Sequence, residues 1–573
     1  MSLLECVNSP QDLKKLSVDQ LKLYAKEVRA YITDVVNKNG GHLSSNLGAV
    51  DFTIALHRVF DCPNDKIVFD VGHQSYTHKL ITGRRNKFAL LRSEGGVSGY
   101  ENMKESDCDA FTTGHSSTSL SVAMGLAKAR DLQDKKHDVI AVVGDGALTG
   151  GLSYEGLNNI GGAGVGIIVV LNDNGMSISE NVGSISSCFG NQSDKQNAGV
   201  FFENMGFEYF GPIDGNDIEK CITALLKLKG SQKPVVLHLK TKKGLGYEQA
   251  ENNAEKYHGI EHTEANCGKF SDLVGKTLVS MAEKDRSVVA ITAAMALGTG
   301  LSDMREKFPE RFFDVGIAEQ HAVTMSAGLA TGGLKPYFAV YSTFLQRAYD
   351  QILHDIGITS APVRLLVDKS GVVASDGATH QGLYDISFLS SAPNMTVLSP
   401  ANGEELNKML YWSLSYDKPL AIRYPKNYLL GGKSYKTENP LCWEYAKNSN
   451  NNVTILAVGN RMIDLALQLN CECDVVNARC IKPLDEKILT SLNEPDRLII
   501  TLEDGVLNGG FGSAVLSFLN RQGKKCEIIS LGFSDEVWDE LSMTVSLEKS
   551  GLTKGNLEKI ISSYRANCEK ILE

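Results

Sequence analysis

Two short polar motifs each follow a run of apolar, β-branched residues. Gly144-Asp145-Gly146 comes directly after Val139–Val143, and Asn174, twenty-nine residues beyond Asp145, follows Val165–Leu171. Such runs are typical of buried parallel strands, and open α/β sheets bind ligands at the carboxyl ends of their strands. Carboxylate and amide oxygens are ligands that Mg²⁺ prefers in proteins. The spacing therefore predicts a site for a cation and a phosphate at one edge of a sheet.

The residues beside these motifs support the same prediction. Gly146 and Ala147 are small enough for a phosphate to approach the backbone, and the helix that follows offers N–H groups at its N-terminus. The backbone carbonyl of Met176 is placed to supply a third metal ligand. A lone Gly-Asp-Gly sequence is most often an ordinary turn, so the pairing with Asn174 at a second strand end is what favours the site.

Apolar runs alternate with helical stretches along the whole chain. Residues 118–133, for example, carry apolar side chains at helical spacing. This alternation predicts an α/β fold with mostly parallel sheets flanked by helices. Further strands are predicted at 235–239, 287–291, 336–340, 363–367, 395–398, 453–458, 474–477, 497–501 and 526–530.

Two polar stretches without periodicity are typical of linkers. They lie at Gly246–Lys269 and at Asn427–Asn452, and the second contains Gly-Gly, Pro and a run of Asn. A chain of 573 residues is too long for one hydrophobic core. We therefore expect three domains, at 1–265, 266–435 and 436–573.

Composition restricts the partners that we expect. With 58 Lys and Arg against 68 Asp and Glu, the net charge of −10 argues against broad nucleic-acid binding. The first residues lack the apolar core of a signal peptide, and no apolar run approaches the length of a membrane span. Twelve Cys without any Cys-x-x-Cys pair indicate reduced thiols. We expect a cytoplasmic protein without nucleic-acid or membrane partners.

The segments around the strand-end motifs resemble the 1-deoxy-D-xylulose-5-phosphate synthases, a thiamine-diphosphate-dependent family of the transketolase superfamily. The resemblance covers nearly the whole chain, and its motifs are specific as a set. It implies a transketolase-like fold. The first domain would bind the diphosphate and Mg²⁺, the second would bind the aminopyrimidine, and the third would be a transketolase-type C-terminal domain. The similar segments are 41–57, 70–85, 112–121, 142–159, 171–183, 238–248, 312–330, 341–355, 375–382, 481–485 and 502–512.

The same resemblance implies which residues bind the cofactors. Mg²⁺ would be held by Asp145, Asn174 and the carbonyl of Met176. Thiamine diphosphate would be bound by residues from the first two domains: His73, Gly114, His115, Ser116, Gly146, Ala147, Asn174, Tyr247, Glu319 and Phe344.

Glu319, in Gly-Ile-Ala-Glu-Gln-His, stands where a helix is expected to begin. An arbitrary Glu there would only favour the helix dipole. The resemblance implies that its carboxylate bonds the aminopyrimidine and so activates C2 of the thiazolium, which requires a water-poor site. It also places His42, His73 and His258 beside the reacting carbons, where histidine is suited to proton transfer. His57 and His78 are expected to be buried core residues.

Six residues lie at substrate positions of the family: Tyr341, Arg347, Lys369, Asp376, His380 and Arg423. Arg423 could bind a phosphate through its planar fork. The chain also departs from the family. Lys369 stands where Arg is usual, Gly175 replaces a common Glu, and Asn216 replaces a usual His. Residues 181–200 form an unusually short connection, which could change access to the site.

The reaction implied by the resemblance is a decarboxylative condensation of pyruvate with D-glyceraldehyde 3-phosphate. It yields 1-deoxy-D-xylulose 5-phosphate and CO₂ through a thiamine-diphosphate enamine, and supplies isoprenoid and thiamine biosynthesis. A homodimer is expected from the family. Three alternatives remain: a transketolase or related ketol-transferring enzyme, the E1 component of a 2-oxo-acid dehydrogenase, and a catalytically silent homologue. Asp145, Asn174 and Glu319 are present and argue against silence, while Asp376–Gly382 favours the synthase.

Overall fold

The computed structural model describes residues 2–178, 180–189, 195–261, 267–429, 433–539 and 542–572. The chain divides into two compact units. The N-terminal unit comprises 1–262 with 316–318, and the C-terminal unit comprises 263–315 with 319–573. In the described residues no helix is both long and apolar enough to cross a membrane.

The N-terminal unit is built on a five-stranded parallel sheet. Alternate residues of its second strand enter different apolar clusters, since Ile140 and Val142 pack with helix Ser44–Val59 while Ala141 and Val143 pack with helix Ser119–Leu132. Helices on both faces explain why this strand is apolar at every position. In sheet order the strands are Lys66–Phe69, Val139–Gly144, Ile168–Asp173, Val235–Lys240 and Glu208–Asp214.

A two-stranded antiparallel ribbon, Gly41–His42 with Gly259–Ile260, completes the strands of this unit. Among the described residues of this unit, Leu80–Arg84 is π-helical and Gly146–Thr149 is 3₁₀-helical. The α-helices are Leu3–Cys6, Pro10–Lys14, Val18–Asn39, Ser44–Val59, Tyr76–Lys79, Arg85–Phe88, Ser119–Leu132, Gly151–Ala163, Ser184–Phe189, Lys195–Asn204, Ile218–Leu228 and Glu248–Asn252.

The C-terminal unit contains two larger sheets. The seven-stranded sheet is parallel except for its last strand, and its order is Phe312–Asp314, Val288–Thr292, Lys335–Tyr341, Arg364–Asp368, Leu420–Arg423, Thr396–Leu398 and Cys480–Lys482. The five-stranded sheet is parallel except for its first strand, and its order is Glu444–Lys447, Asp474–Asn477, Val453–Ala457, Leu498–Val506 and Glu527–Phe533.

Asn427–Leu429 and Cys267–Lys269 form a further antiparallel ribbon in this unit. Short 3₁₀ or π segments lie at Pro309–Arg311, Gln346–Ala348, Ile352–Ile358 and Ala374–His380. The α-helices are Phe270–Lys284, Ser302–Lys307, Glu319–Thr331, Ser342–Leu345, Tyr349–Gln351, Asp385–Ser391, Gly403–Ser413, Gly459–Leu467, Glu486–Leu492, Phe511–Arg521, Met543–Lys549 and Lys554–Leu572.

The α/β fold with mostly parallel sheets is confirmed, and each strand predicted from an apolar run is present with ends shifted by a few residues. Both predicted linkers contain short strands, and 262–266 and 430–432 within them lie outside the described residues. Cys480–Lys482 lies beyond residue 436 yet pairs with Thr396–Leu398 in the seven-stranded sheet. Strands from the second and third predicted domains therefore pair within one sheet. The bounds of these domains stay a prediction.

Candidate active site

Asp145 lies directly after the strand Val139–Gly144, and its carboxylate is buried. It accepts hydrogen bonds from the N–H groups of Gly146 at 3.0 Å and of Gly175 at 2.7 Å. Burial, and secondly the nearby carboxylate of Asp173, raise the pKa of Asp145 to about 7. A bound cation would offset both effects, so this carboxylate has the chemistry of a metal ligand.

Asn174 and Met176 lie at the end of the neighbouring strand. The sheet register pairs Gly144 with Asn172, which brings the two strand ends side by side. The side-chain oxygen of Asn174 accepts a hydrogen bond from the N–H of Met176 at 3.1 Å. Gly175 has φ +77°, a left-handed conformation that favours glycine over the Glu usual in the family. The structure therefore brings the three predicted metal ligands to one edge.

A third strand end holds the loop that contains Gly114, His115 and Ser116. Asp70 follows Lys66–Phe69, and its carboxylate accepts the N–H groups of Ser117 at 2.7 Å and Ser119 at 3.0 Å. The hydroxyl of Ser117 donates to the carbonyl oxygen of Ala147 at 2.8 Å, and so joins this loop to the turn after Asp145. Asp70 begins the family-like segment 70–85, but no role was predicted for it from the sequence.

Gly146 needs to be glycine for steric reasons. An added Cβ would lie 2.6 Å from the Cβ of Ser177, closer than such atoms approach. Ala147 is buried in the 3₁₀ segment that follows. The strand-end turns are therefore packed closely, as expected where backbone N–H groups approach a phosphate.

The three predicted histidines of the N-terminal unit form one cluster. Ring centroids are 5.5 Å apart for His42 and His73, 5.4 Å for His42 and His258, and 5.6 Å for His73 and His258. The hydroxyl of Ser45 lies 3.3 Å from Nδ1 of His258. Within the described part of the chain, the shielded Nδ1 atom of His73 has no hydrogen-bond partner.

Lys243 is a functional candidate that the sequence analysis missed. It is buried, and its Nζ donates to the carbonyl of Ser177, next to Met176. Burial, and then the charge of Lys243, lower the pKa of His73 to about 3 and that of His258 well below its usual range. Burial likewise lowers the pKa of Lys243 to about 8. The signal was the Lys-Lys pair within the family motif 238–248.

Tyr247 lies at the start of helix Glu248–Asn252. Its ring packs edge-on against Tyr257 at 5.8 Å, and its hydroxyl donates to the side-chain oxygen of Gln249 at 2.5 Å. None of these contacts involves another predicted site residue.

In the C-terminal unit, Glu319 is the first residue of helix Glu319–Thr331, and its side chain is 2% exposed. Its Oε2 atom lies 3.5 Å from Nη1 of Arg347 and, among the described residues, accepts no hydrogen bond. Burial raises the pKa of Glu319, and the charge of Arg347 only partly opposes this effect. A buried carboxyl group with an unused oxygen can share a proton with a ligand.

Four predicted residues of the C-terminal unit form a chain of contacts. The rings of Tyr341 and Phe344 stack at 5.8 Å, and Phe344 meets His380 edge-on at 5.4 Å. Nζ of Lys369 lies 4.1 Å from the centroid of the Tyr341 ring. Asp376 is half-buried in the 3₁₀ segment Ala374–His380. Aromatic faces beside a cation and histidine can bind a planar ring or a small anion.

Arg423 is not an open anion-binding residue. It ends the strand Leu420–Arg423, and its guanidinium is 1% exposed. Nε donates to Asp385 at 3.0 Å and Nη1 donates to Asp504 at 2.8 Å. These carboxylates outweigh the burial and raise the pKa of Arg423 beyond its already high value. Nη2 has no hydrogen-bond partner in the part of the chain that the structure describes.

The remaining sequence predictions have these outcomes. His57 and His78 are fully buried and lie 2.9 Å apart between Nε2 and Nδ1, as expected of core residues. Asn216 donates its side-chain N–H₂ to the carbonyl of Gly48 at 3.0 Å and to the carboxylate of Asp51 at 3.1 Å, so it joins helix Ser44–Val59 to the loop before helix Ile218–Leu228. Of the short connection 181–200, residues 190–194 lie outside the described residues.

Three family models match successive stretches of the chain. A family model described as 1-deoxy-D-xylulose-5-phosphate synthase matches 4–201 and, in a second piece, 191–241. The transketolase pyrimidine-binding domain matches 269–430, and the transketolase C-terminal domain matches 443–557.

Individual proteins match along the whole chain. The 1-deoxy-D-xylulose-5-phosphate synthase of Caldanaerobacter subterraneus subsp. tengcongensis is 45% identical, covering 98% of this chain and 99% of that protein. The synthase of Clostridium acetobutylicum is 43% identical, covering 100% of this chain and 98% of that protein. The solved transketolase of Campylobacter jejuni is 18% identical with a TM-score of 0.46, covering 96% of this chain and 100% of that chain. On the identity of its full-length relatives, this chain belongs to the 1-deoxy-D-xylulose-5-phosphate synthase family.

Proposed function

We propose that the protein catalyses the condensation of pyruvate with D-glyceraldehyde 3-phosphate to 1-deoxy-D-xylulose 5-phosphate and CO₂. The observation that carries this proposal is the buried Glu319, whose Oε2 has no hydrogen-bond partner in the described residues, in a chain whose full-length relatives are synthases. The protein is accordingly a transferase of the transketolase type.

Thiamine diphosphate and Mg²⁺ fit the residues that are present. The raised pKa of Glu319 suits a carboxyl group that shares a proton with an aminopyrimidine. The N–H groups around Gly146 and the loop Gly114–Ser116 suit a diphosphate, and Asp145 with Asn174 supplies hard oxygen ligands for Mg²⁺. When bound, thiamine diphosphate supplies a carbon nucleophile and accepts the electron pair released by decarboxylation.

The histidines are proposed to handle protons at the substrate oxygens. Because their pKa values are lowered by burial and by Lys243, His73 and His258 are neutral near pH 7. A neutral imidazole has one nitrogen that donates and one that accepts, so it can pass a proton without placing a charge in the cluster. The ring of His42 packs against both of theirs in the same cluster, and His42 is proposed to act with them.

Cationic and hydroxyl-binding groups of the C-terminal unit are proposed to bind the substrates. Lys369, held over Tyr341, is the more accessible cation for the acceptor phosphate, while buried Arg423 would contribute through Nη2 alone. Asp376 and His380 are proposed to bind the hydroxyl groups of the sugar.

We further propose a homodimer that acts in the cytoplasm. Among the described residues the twelve cysteines form no disulfide with one another, which suits a reducing compartment. The dimer rests on the family resemblance and is measurable by sedimentation.

The decisive experiment uses the purified protein with thiamine diphosphate, Mg²⁺, pyruvate and glyceraldehyde 3-phosphate. We expect CO₂ release that depends on both substrates, and a product that mass spectrometry and NMR identify as 1-deoxy-D-xylulose 5-phosphate. Omitting either cofactor should abolish it. Turnover of xylulose 5-phosphate with an aldose phosphate, without pyruvate consumption, would instead identify a transketolase and contradict the proposal.

A further inference from the structure

Asn46 is a buried polar residue in the first turn of helix Ser44–Val59, with no assigned role in the proposed reaction. Its side-chain N–H₂ donates to the carbonyl oxygen of His42 at 2.8 Å and to that of His73 at 2.6 Å. These two carbonyls belong to segments thirty-one residues apart in the sequence. One amide group therefore holds the backbones of two predicted catalytic histidines.

Tyr76 closes the same hydrogen-bonded circuit. Its N–H donates to the side-chain oxygen of Asn46 at 2.9 Å, and its hydroxyl oxygen accepts the N–H of His42 at 3.1 Å. Gly41 has φ +133°, and an added Cβ there would lie 2.8 Å from that hydroxyl oxygen. Glycine at this position lets the backbone of His42 approach Tyr76.

The chemistry of the side chain selects Asn at position 46. The amide N–H₂ group donates to two carbonyl oxygens, and the amide oxygen accepts one backbone N–H. Only an amide offers donors and an acceptor in this arrangement. An aliphatic residue would leave two carbonyls and one N–H without these partners in a buried place. An Asp would keep the shape and the bond from Tyr76 but would present oxygen to both carbonyls.

We propose that Asn46, together with Tyr76, is a positioning residue that sets the separation of His42 and His73 for proton transfer. The inference rests on the proposed function and deepens it. The ring of each histidine is carried by two torsions from its backbone, so a displaced carbonyl displaces the ring by a similar distance. Since misplacement of a reacting group by about 1 Å can cost on the order of 100-fold in rate, the effect should be kinetic.

The test compares Asn46→Asp with a matched control, Asn216→Asp. Asn216 also uses its amide to join helix Ser44–Val59 to another segment, through Gly48 and Asp51, but it holds no histidine. Each variant replaces by a carboxylate an amide whose N–H₂ group joins helix Ser44–Val59 to another segment, and both should unfold at a lower temperature. When kcat is compared at the same fraction of folded protein, a difference between the two variants therefore reports on the positions of the histidines.

For Asn46→Asp we expect kcat to fall about 10- to 100-fold, while both KM values, thiamine diphosphate affinity by calorimetry and hydrogen exchange at C2 change no more than a few-fold. Asn216→Asp should keep kcat within a few-fold. A rate for Asn46→Asp equal to that of Asn216→Asp, or a loss explained by weaker cofactor binding, would overturn the proposal.

A second readout does not need turnover. Carbethoxylation of histidines by diethyl pyrocarbonate, mapped by mass spectrometry on the holoenzyme, should change at His42 and His73 in Asn46→Asp but not in Asn216→Asp. An unchanged pattern would defeat the positioning role even if the wild-type protein failed to make the proposed product. Conversely, an inactive wild type with the expected modification pattern would remove only the proposed function.

Tyr76→Phe offers a milder version of the same test, because it removes the acceptor of the His42 N–H and keeps the ring. We expect a drop in kcat smaller than that of Asn46→Asp. The double variant should lose less than the product of the two single losses, since both act on one circuit. Independent, multiplicative losses would show that Tyr76 and Asn46 do not form one unit.

Discussion

Nη1 of Arg347 lies 3.5 Å from Oε2 of Glu319, inside the C-terminal unit, which is a long ion-pair contact. The guanidinium is close enough to moderate the charge of the buried carboxylate, but it leaves the oxygen available for a ligand. Burial still dominates, so the pKa of Glu319 remains raised. This balance suits a group that must share a proton rather than hold a permanent ion pair.

Glu319→Gln should keep thiamine diphosphate bound and lose most turnover. The amide keeps the shape but cannot accept and return a proton in the same way, so activation of C2 should slow by about 100-fold or more. Hydrogen–deuterium exchange at C2 of the bound cofactor, followed by NMR, measures this step directly. Exchange within a few-fold of wild type would remove Glu319 from its proposed role.

The same substitution should change how stability depends on pH. Since the folded pKa of Glu319 is raised above its ordinary value of 4.5, the folded state holds this proton more tightly than the unfolded chain does. Wild type therefore loses stability relative to Glu319→Gln as the pH rises from 4.5 through the folded pKa. Thermal unfolding of both cofactor-free proteins between pH 4.5 and 8 measures this effect. The unfolding temperature of wild type should fall relative to that of Glu319→Gln as the pH rises. A difference independent of pH would mean that Glu319 titrates normally.

Asp145→Ala should abolish Mg²⁺-dependent binding of thiamine diphosphate. Loss of a residue that only orients a metal ligand typically weakens metal binding by roughly 10- to 100-fold. Asp145 is itself a predicted metal ligand, so its loss should have a larger effect. Asp138→Asn is the matched control, because Asp138 precedes the same strand at its opposite end and accepts the N–H of Gly230 at 3.0 Å. Calorimetry with and without Mg²⁺ compares them. Equal affinity in both variants would exclude Asp145 from the metal site.

Arg423→Ala should first reduce the stability of the fold. Removing the guanidinium leaves the carboxylates of Asp385 and Asp504 buried without their cation, which commonly costs about 3–5 kcal/mol. Arg423→Met combined with Asp504→Asn should recover part of the loss in free energy of unfolding, measured by denaturant titration.

A contribution of Arg423 to phosphate binding would appear separately in the kinetics. If Nη2 contacts the phosphate, Arg423→Lys should raise the KM for glyceraldehyde 3-phosphate by more than that for unphosphorylated glyceraldehyde. Equal changes for both aldehydes would leave Arg423 as a buried ion-pair residue only.

Lys369→Arg should lower the KM for one substrate and leave the other nearly unchanged, because arginine offers two parallel donors to an anion. Lys369→Met should raise the same KM, because the charge disappears while the length of the side chain stays similar. Tyr341→Phe is the control, as it keeps the ring that lies 4.1 Å from Nζ. If neither Lys369 variant changes either KM beyond error, position 369 does not bind substrate.

Local patterns in the sequence were sufficient for the secondary structure near the site. The run Val139–Val143 predicted a strand that extends one residue further, and residues 118–133 predicted the helix Ser119–Leu132. Burial on both faces makes such a strand apolar at every position, so the signal lies within the segment itself. The strand-end placement of Asp145 and Asn174 followed from the same signal, and the motifs were specific enough to identify the family.

Contacts between distant segments decided the rest. From the sequence, Arg423 was predicted to bind a phosphate. In the structure its guanidinium donates to the carboxylate of Asp504, eighty-one positions later in the chain. Asn46 carries no local signal of function, and the only signal of Lys243 is its place in the family motif 238–248. The effects of both residues depend on histidines from three separate segments. Burial and hydrogen bonding across long sequence separations depend on how strands and loops pack together. The sequence by itself therefore determined the elements and the family, and only the tertiary structure decided which charged groups are paired, shielded or left available to a ligand.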